Sequence, residues 1–118
     1  MHTTAVQFGN IHDKIVFYIG QNARDNVEVI VMGENDDIWF HAKNDSSCHV
    51  VASVPKSISK KQKHTIIKHG ASLCKRYTKK LTFLKNVEFV YTPVQYVDID
   101  DVKIGQVTIV KDCKTIMI

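Results

Sequence analysis

The chain has 118 residues, an apolar fraction of 44% and a formal net charge of +4, proportions that suit one globular domain able to bury its core without disulfides or metal. No apolar run is long enough to span a bilayer and no signal segment leads from Met1-His2-Thr3-Thr4, so a soluble cytoplasmic protein is expected. Cys48, Cys74 and Cys113 lack any Cys-x-x-Cys spacing and read as reduced, mostly buried thiols.

Thr4 to Phe8 and Lys14 to Ile19 are β-prone runs around Gly9-Asn10, a hairpin pattern, and the nearly continuous apolar run Ile15 to Ile19 predicts a central strand buried on both faces. Gly20 to Asn26 is a polar loop in which Asp25 or Asn26 is placed to cap a helix. Val27, Val29 and Val31 alternate as in a strand. Gly33 to Asp36 then ends the element.

Asp37 to Lys43 and Cys48 to Val54 are two aromatic and β-branched runs flanking Asn44-Asp45-Ser46-Ser47, the pattern of antiparallel strands joined by a short loop. A turn centred on Asp45 sets His41 opposite His49. With a period of two, Trp39, His41 and Lys43 share one face, while Ile38, Phe40 and Ala42 point to the core.

Pro55 closes this hairpin, and Ser59 with Gln62 has capping-box spacing, so a helix is predicted from about Lys60. Ile66, Ile67, Gly70, Ala71, Leu73, Cys74 and Tyr77 define its buried stripe. Gly70 in mid-helix costs about 1 kcal/mol relative to Ala, which a close packing contact would explain. Strands are expected at 86–91, 94–97, 106–110 and 115–118, with a break at Pro93, an acidic loop from Asp98 to Asp101 and a tight hairpin at Asp112-Cys113. The whole is an α+β domain over residues 1–118: a largely antiparallel sheet with one long basic amphipathic helix on one face and a second, short helix.

Charge is unevenly distributed. From Ser46 through Val87 there are ten Lys and Arg and no Asp or Glu, while the rest of the chain carries −6. Lys61, Lys68, Lys75 and Lys79 recur along one side of the predicted helix. A helix that is merely solvated tends to pair Glu with Lys four residues on, so this segregation points to a polyanionic partner.

Asp37-Ile38-Trp39-Phe40-His41-Ala42-Lys43 followed by Ser47-Cys48-His49-Val50-Val51 resembles the hallmark of the NFACT-R family, the RNA-binding module at the C-terminal end of ribosome-associated quality-control factors and bacterial fibronectin-binding-like proteins. Gly20-Gln21-Asn22 is similar to the family's Gly-Arg-Asn block, with Gln21 in place of Arg and Arg24 close by. Tyr91-Thr92 through Gly105-Gln106-Val107, closing on Lys114-Thr115-Ile116, resembles its C-terminal block. The loop departs from the family's wording, carrying Asp45-Ser46-Ser47-Cys48 where a Pro-Gly or related pair normally precedes Ser-His. The resemblance implies a short helix over Val27 to Met32, against the local alternation. It also implies an RNA partner, tRNA, rRNA or single-stranded RNA, on the large ribosomal subunit.

The expected interface comprises Arg24, Trp39, His41, Lys43, His49, Lys60, Lys61, Lys68, Lys75, Arg76 and Lys79. By residue type alone Trp39 reads as core. The resemblance favours a platform that stacks an unpaired base beside His41, Lys43 and His49, with the lysines on phosphate. His41 and His49 lack a third ligand, since Cys48 points to the other face, and no metal or cofactor is expected. Without a nucleophile elbow, a Walker loop or paired carboxylates, no enzymatic activity is expected either. The rival reading is an adaptor docking an acidic protein partner, or a nucleic-acid binder that also accepts DNA.

Overall fold

The structure, a computed structural model, describes residues 1–100, 103–104 and 106–118. In chain order its elements are β1 (His2–Val6), β2 (Ile15–Gly20), α1 (Ala23–Met32), β3 (Ile38–Ala42), β4 (His49–Ala52), α2 (Lys60–Arg76), β5 (Glu88–Pro93), β6 (Val97–Ile99), β7 (Val107–Ile109) and β8 (Lys114–Met117). Six strands form one antiparallel sheet of order β1-β2-β4-β3-β5-β8, and β6 with β7 forms a separate two-stranded ribbon. Because β2 and β3 are both antiparallel to β4, they run parallel to each other, and α1 makes the crossover between them. The fold is the α+β arrangement expected.

The central hairpin has the predicted register: Trp39 faces Val51 and Phe40 faces Val50, so the next pair on Trp39's face is His41 with His49. On the opposite face Phe40, Val50, Phe17 and Phe89 are fully buried and meet Ile66, Ala71, Leu73 and Cys74 of α2. The helix starts as its capping box requires. Gln62 N donates to Ser59 Oγ at 3.1 Å and Ser59 N donates to Gln62 Oε1 at 2.9 Å. Gly70 sits where a Cβ would lie 2.3 Å from the Phe40 ring, which is the close contact that its place in mid-helix implied.

Residues 23–32 are helical despite their alternating valines. Asn22, rather than Asp25 or Asn26, is the cap, its side chain accepting from Asp25 N at 2.9 Å. Strand alternation would bury Val27, Val29 and Val31 together; instead the neighbours Val29 and Ile30 are buried and Val31 is 68% exposed. Tertiary burial of one helical side outweighs local propensity here.

Three further expectations need correction. Residues 94–97 do not form one strand: Val94 N still donates to the Asp37 carbonyl at 2.8 Å, but Val94–Tyr96 then makes a 3-10 turn that brings Val94 and Val97 in beside Trp39, and pairing resumes at Val97 in the separate ribbon with β7. Asp112-Cys113 does not close a hairpin between β7 and β8. Val107 and Ile109 of β7 pack into the cluster around Trp39, whereas Ile116 of β8 packs into the main core beside β5, so the two strands serve different cores. The run Ile15 to Ile19 is fully buried only through Ile15, Phe17 and Ile19; Val16 and Tyr18 are half-buried. Asp101 of the acidic loop and Gly105 of the C-terminal block lie outside the described residues.

Candidate nucleic-acid interface

On the face away from α2, β3 and β4 carry Trp39, His41 and His49 side by side. His41 and His49 have ring centroids 4.7 Å apart at 80°, and the Trp39 indole stacks within 5° of the His41 plane at 5.7 Å. The indole N–H donates to His49 Nδ1 at 3.2 Å. An indole N–H can only donate, so His49 Nδ1 is unprotonated. Burial, reinforced by neighbouring His41, pushes the His49 pKa down to about 3, and the ring is neutral at physiological pH. His41 Nδ1 lies 2.7 Å from the Ala42 carbonyl, an acceptor, so its proton sits there. Burial lowers the His41 pKa as well, the Ala42 carbonyl opposing and the charge of Lys80 adding to the effect.

Trp39 is only 2% exposed, covered by Val29 and Ile30 of α1 and by Val90, Val94 and Val97. This corrects the stacking platform expected from the sequence. The face that carries Trp39 is a second, smaller core, and an indole under it offers no open ring to a base. Its work is to hold His49 in one tautomer and His41 in one plane.

The surrounding loop is tied down by short hydrogen bonds. Ser47 Oγ accepts from Ala42 N at 3.0 Å and donates to the Cys48 carbonyl at 2.9 Å. His49 N donates to Asn26 Oδ1 at 3.2 Å. That reach depends on Gly20, where an added Cβ would stand 2.8 Å from the Asn26 backbone nitrogen. Asp37, 7% exposed, accepts from Glu34 N and from Val54 N, both at 2.9 Å, and joins the end of α1 to the end of β4. The result is a cleft of 710 Å³ between the 43–47 loop and β7, floored by the two histidines and edged by Lys43 and Gln106.

The cations occupy other ground. Lys60, Lys61, Lys68 and Arg76 are exposed along α2, on the far side of the sheet from the histidines, and Lys75 is half-buried with Nζ donating to the Ile118 carbonyl at 3.0 Å. At the end of the helix Lys79 and Lys80 turn toward the cleft, lining a 400 Å³ depression that shares Asn26, Ser46 and Ser47 with it. Lys80 Nζ donates to Ser46 Oγ at 2.8 Å. Lys43 is held 3.5 Å from Glu88, the only Lys or Arg side chain among the described residues within 4.0 Å of a carboxylate. Arg24, exposed in the first turn of α1, lines neither cleft nor depression. The structure thus joins Trp39, His41, Lys43 and His49 in one site and sets the α2 cations apart from it.

Sequence reasoning missed Lys80, Asn26 and the exposed Phe83, which is 92% exposed between Lys79-Lys80 and Lys85. Leu84 beside it is exposed as well, and no local sequence pattern marks either residue as outward-facing.

The model of the NFACT protein RNA-binding domain matches residues 5–111. The chain belongs to this family. Relatives include coiled-coil domain-containing protein 25 of Danio rerio, 33% identical over 78 residues, and of Bos taurus, 29% identical over 85 residues. Each match covers 64% of this chain and 37% of the relative, so the chain spans little more than a third of the curated proteins it resembles. The C-terminal part of the fibronectin/fibrinogen-binding protein of Streptococcus suis has the same fold, with a TM-score of 0.75 at 23% identity, covering 88% of this chain and 40% of that one. As an NFACT RNA-binding domain, the molecule has no helix among its described residues long and apolar enough to cross a membrane. Nor do three or more His, Cys, Asp or Glu side chains converge there as a metal site would require.

Proposed function

We propose that this domain binds RNA through the cationic surface of α2 and its C-terminal turn, with the histidine cleft as a neutral recognition pocket at one end. The observation that carries the reading is the acid-free stretch from Ser46 to Val87, whose ten cations form no ion pair among the described residues. Phosphate neutralisation by such cations releases condensed counterions, which makes affinity steeply salt-dependent. In the cleft, His41 and His49 present imidazole edges as hydrogen-bonding groups without charge, suited to a base edge or a 2′-hydroxyl. The resemblance supports tRNA or rRNA in a cytoplasmic, ribosome-associated setting as the partner, and a non-catalytic role.

The test is titration of labelled tRNA, single-stranded RNA, single-stranded DNA and duplex DNA at several salt concentrations. Tighter binding to RNA with a steep salt slope is expected. Equal affinity for all four polymers would reduce the reading to a general polyanion surface. Absence of binding at low salt would overturn it in favour of a protein-docking adaptor.

A further inference from the structure

A second concave surface lies on the α2 side of the sheet, away from the histidines. α2 packs over β2, β3 and β4, and a groove of 870 Å³ opens between its first turns and the β5–β8 edge. Lys60 and Lys63 form one wall and Lys111 and Lys114 the other, with His64 beside them and Asp112 the one carboxylate of the lining among the described residues. Tyr91 and Tyr96, both half-buried, lie in the same groove. Lys114 is the cross-strand partner of Tyr91, and Lys111 Nζ sits 4.7 Å from the centre of the Tyr96 ring. The volume falls in the range of about 300–1,000 Å³ usual for ligand clefts.

From this geometry we infer that the groove is a site for an unpaired stretch of the bound RNA, with phosphates on the paired lysine walls and a base against Tyr91 or Tyr96. This inference rests on the RNA-binding reading and adds to it the place and the strandedness of one contact. Cations on two walls about a floor of aromatic rings match a chain that alternates phosphate and planar base, which is how sequence-tolerant single-strand binders are built. An acidic peptide would satisfy the lysines but leave the rings without a planar partner. A duplex keeps its bases stacked inside and would gain from the lysines alone. Lys111 and Lys114 come from the acidic remainder of the sequence, so only the fold reveals that they join the basic helix.

The experiment uses a 5-iodouridine-substituted single-stranded RNA, photocrosslinked to the whole chain and mapped by mass spectrometry, with anisotropy titrations of the same RNA, a duplex of equal length and a polyglutamate peptide. Crosslinks to Tyr91 or Tyr96 are expected. Lys63→Glu with Lys114→Glu should weaken single-strand binding at least tenfold, and Tyr96→Leu should weaken the single strand more than the duplex. Thermal melting of each variant separates lost binding from lost fold, and the exposed lysine pair keeps the test valid if Tyr96→Leu unfolds. Three results would overturn the inference: crosslinks confined to the histidine cleft or Phe83, unchanged single-strand affinity in a folded double variant, or polyglutamate binding that the double variant abolishes while RNA binding persists. If the unaltered chain binds none of the RNAs at low salt, the RNA-binding reading and this inference fall together; binding that ignores the groove variants sinks the inference alone.

Discussion

The histidine cleft and the α2 surface differ in almost every physical respect. The cleft is built from the most recognisable stretch of the sequence, yet apart from Lys43 at its edge its central side chains are buried or half-buried, uncharged and committed to one another or to the backbone: Trp39 to His49, His41 to Ala42, Ser47 to Ala42 and Cys48. The α2 surface has no memorable motif, and its cations, exposed except for the half-buried Lys75, have no Asp or Glu partner among the described residues. In the proposed complex the conspicuous motif and the phosphate-binding surface are therefore different parts of the molecule. The motif shapes a small pocket at the sheet end; on that reading long-range attraction would come from lysines that sequence patterns mark only by the acids they lack.

The contrast predicts that acid acts mainly through the cleft, with a smaller contribution from His69 of α2, whose pKa is also lowered, by burial and by the charge of Arg76. His49 has its pKa depressed from 6.5 to about 3. The folded state therefore resists a proton that the unfolded chain accepts, and the stabilisation is complete above about pH 6.5 and lost as pH falls toward 3. At about 1.4 kcal/mol per tenfold change in proton affinity, the loss over that window is on the order of 4 kcal/mol. Urea midpoints should be level from pH 8 to about pH 6.5 and fall from there to pH 4, and His49→Gln should flatten the fall. A profile equally steep in a folded His49→Gln variant would show that His49 is not the acid-sensitive group.

Next in size is the electrostatic half of the comparison. Lys61→Gln, Lys68→Gln and Arg76→Gln together remove three exposed charges from α2. The combined variant should reduce the slope of log affinity against log salt by about 3 and weaken RNA binding on the order of 100-fold at low salt, with no preference among RNA sequences. An unchanged slope would move the phosphate contacts elsewhere, the end-of-helix lysines Lys79 and Lys80 being the next to substitute.

Smaller again is the packing that holds the two regions back to back. Gly70→Ala gains about 1 kcal/mol in helix propensity but drives a methyl into the fully buried Phe40 ring, 2.3 Å away. Overpacking of this kind costs about 1–3 kcal/mol, so a net loss of about 1 kcal/mol is expected in chemical denaturation. A stabilised Gly70→Ala would mean that α2 rides higher over β3 than the geometry indicates.

How much of this was readable in advance depended on whether the signal was local. The capping box at Ser59 and Gln62, the β3–β4 register and the contact behind Gly70 all follow from spacing within a few residues or across one short loop, and they appear as predicted. The alternating valines of α1 point locally to a strand while the family resemblance points to a helix; the helix forms, because burial by distant residues decides the outcome. The cover over Trp39 was invisible for the same reason: Val94, Val97 and the β6–β7 ribbon lie more than fifty residues away, and no local pattern says that they fold back over the hairpin. The groove walled by Lys63 and Lys114 likewise exists only once β8 is set beside β5.

The smallest expected effect is on RNA affinity in Trp39→Phe, and it bears most directly on the contrast between the two regions. The substitution keeps an aromatic ring but removes the N–H that His49 Nδ1 accepts, leaving a buried acceptor without its donor. Such a loss costs about 1–3 kcal/mol of stability, to be read in the denaturation midpoint. Because the indole is 2% exposed, RNA affinity should change by less than about twofold, equally for single-stranded and duplex ligands. Stacking on a base would behave otherwise, since Phe and Trp differ as platforms and the single strand alone would register the change, by a share of the roughly 1–3 kcal/mol that each stacked base contributes. A single-strand-specific loss in a folded Trp39→Phe protein would mean that the α1 and β6–β7 cover opens on binding, and that the motif meets RNA after all.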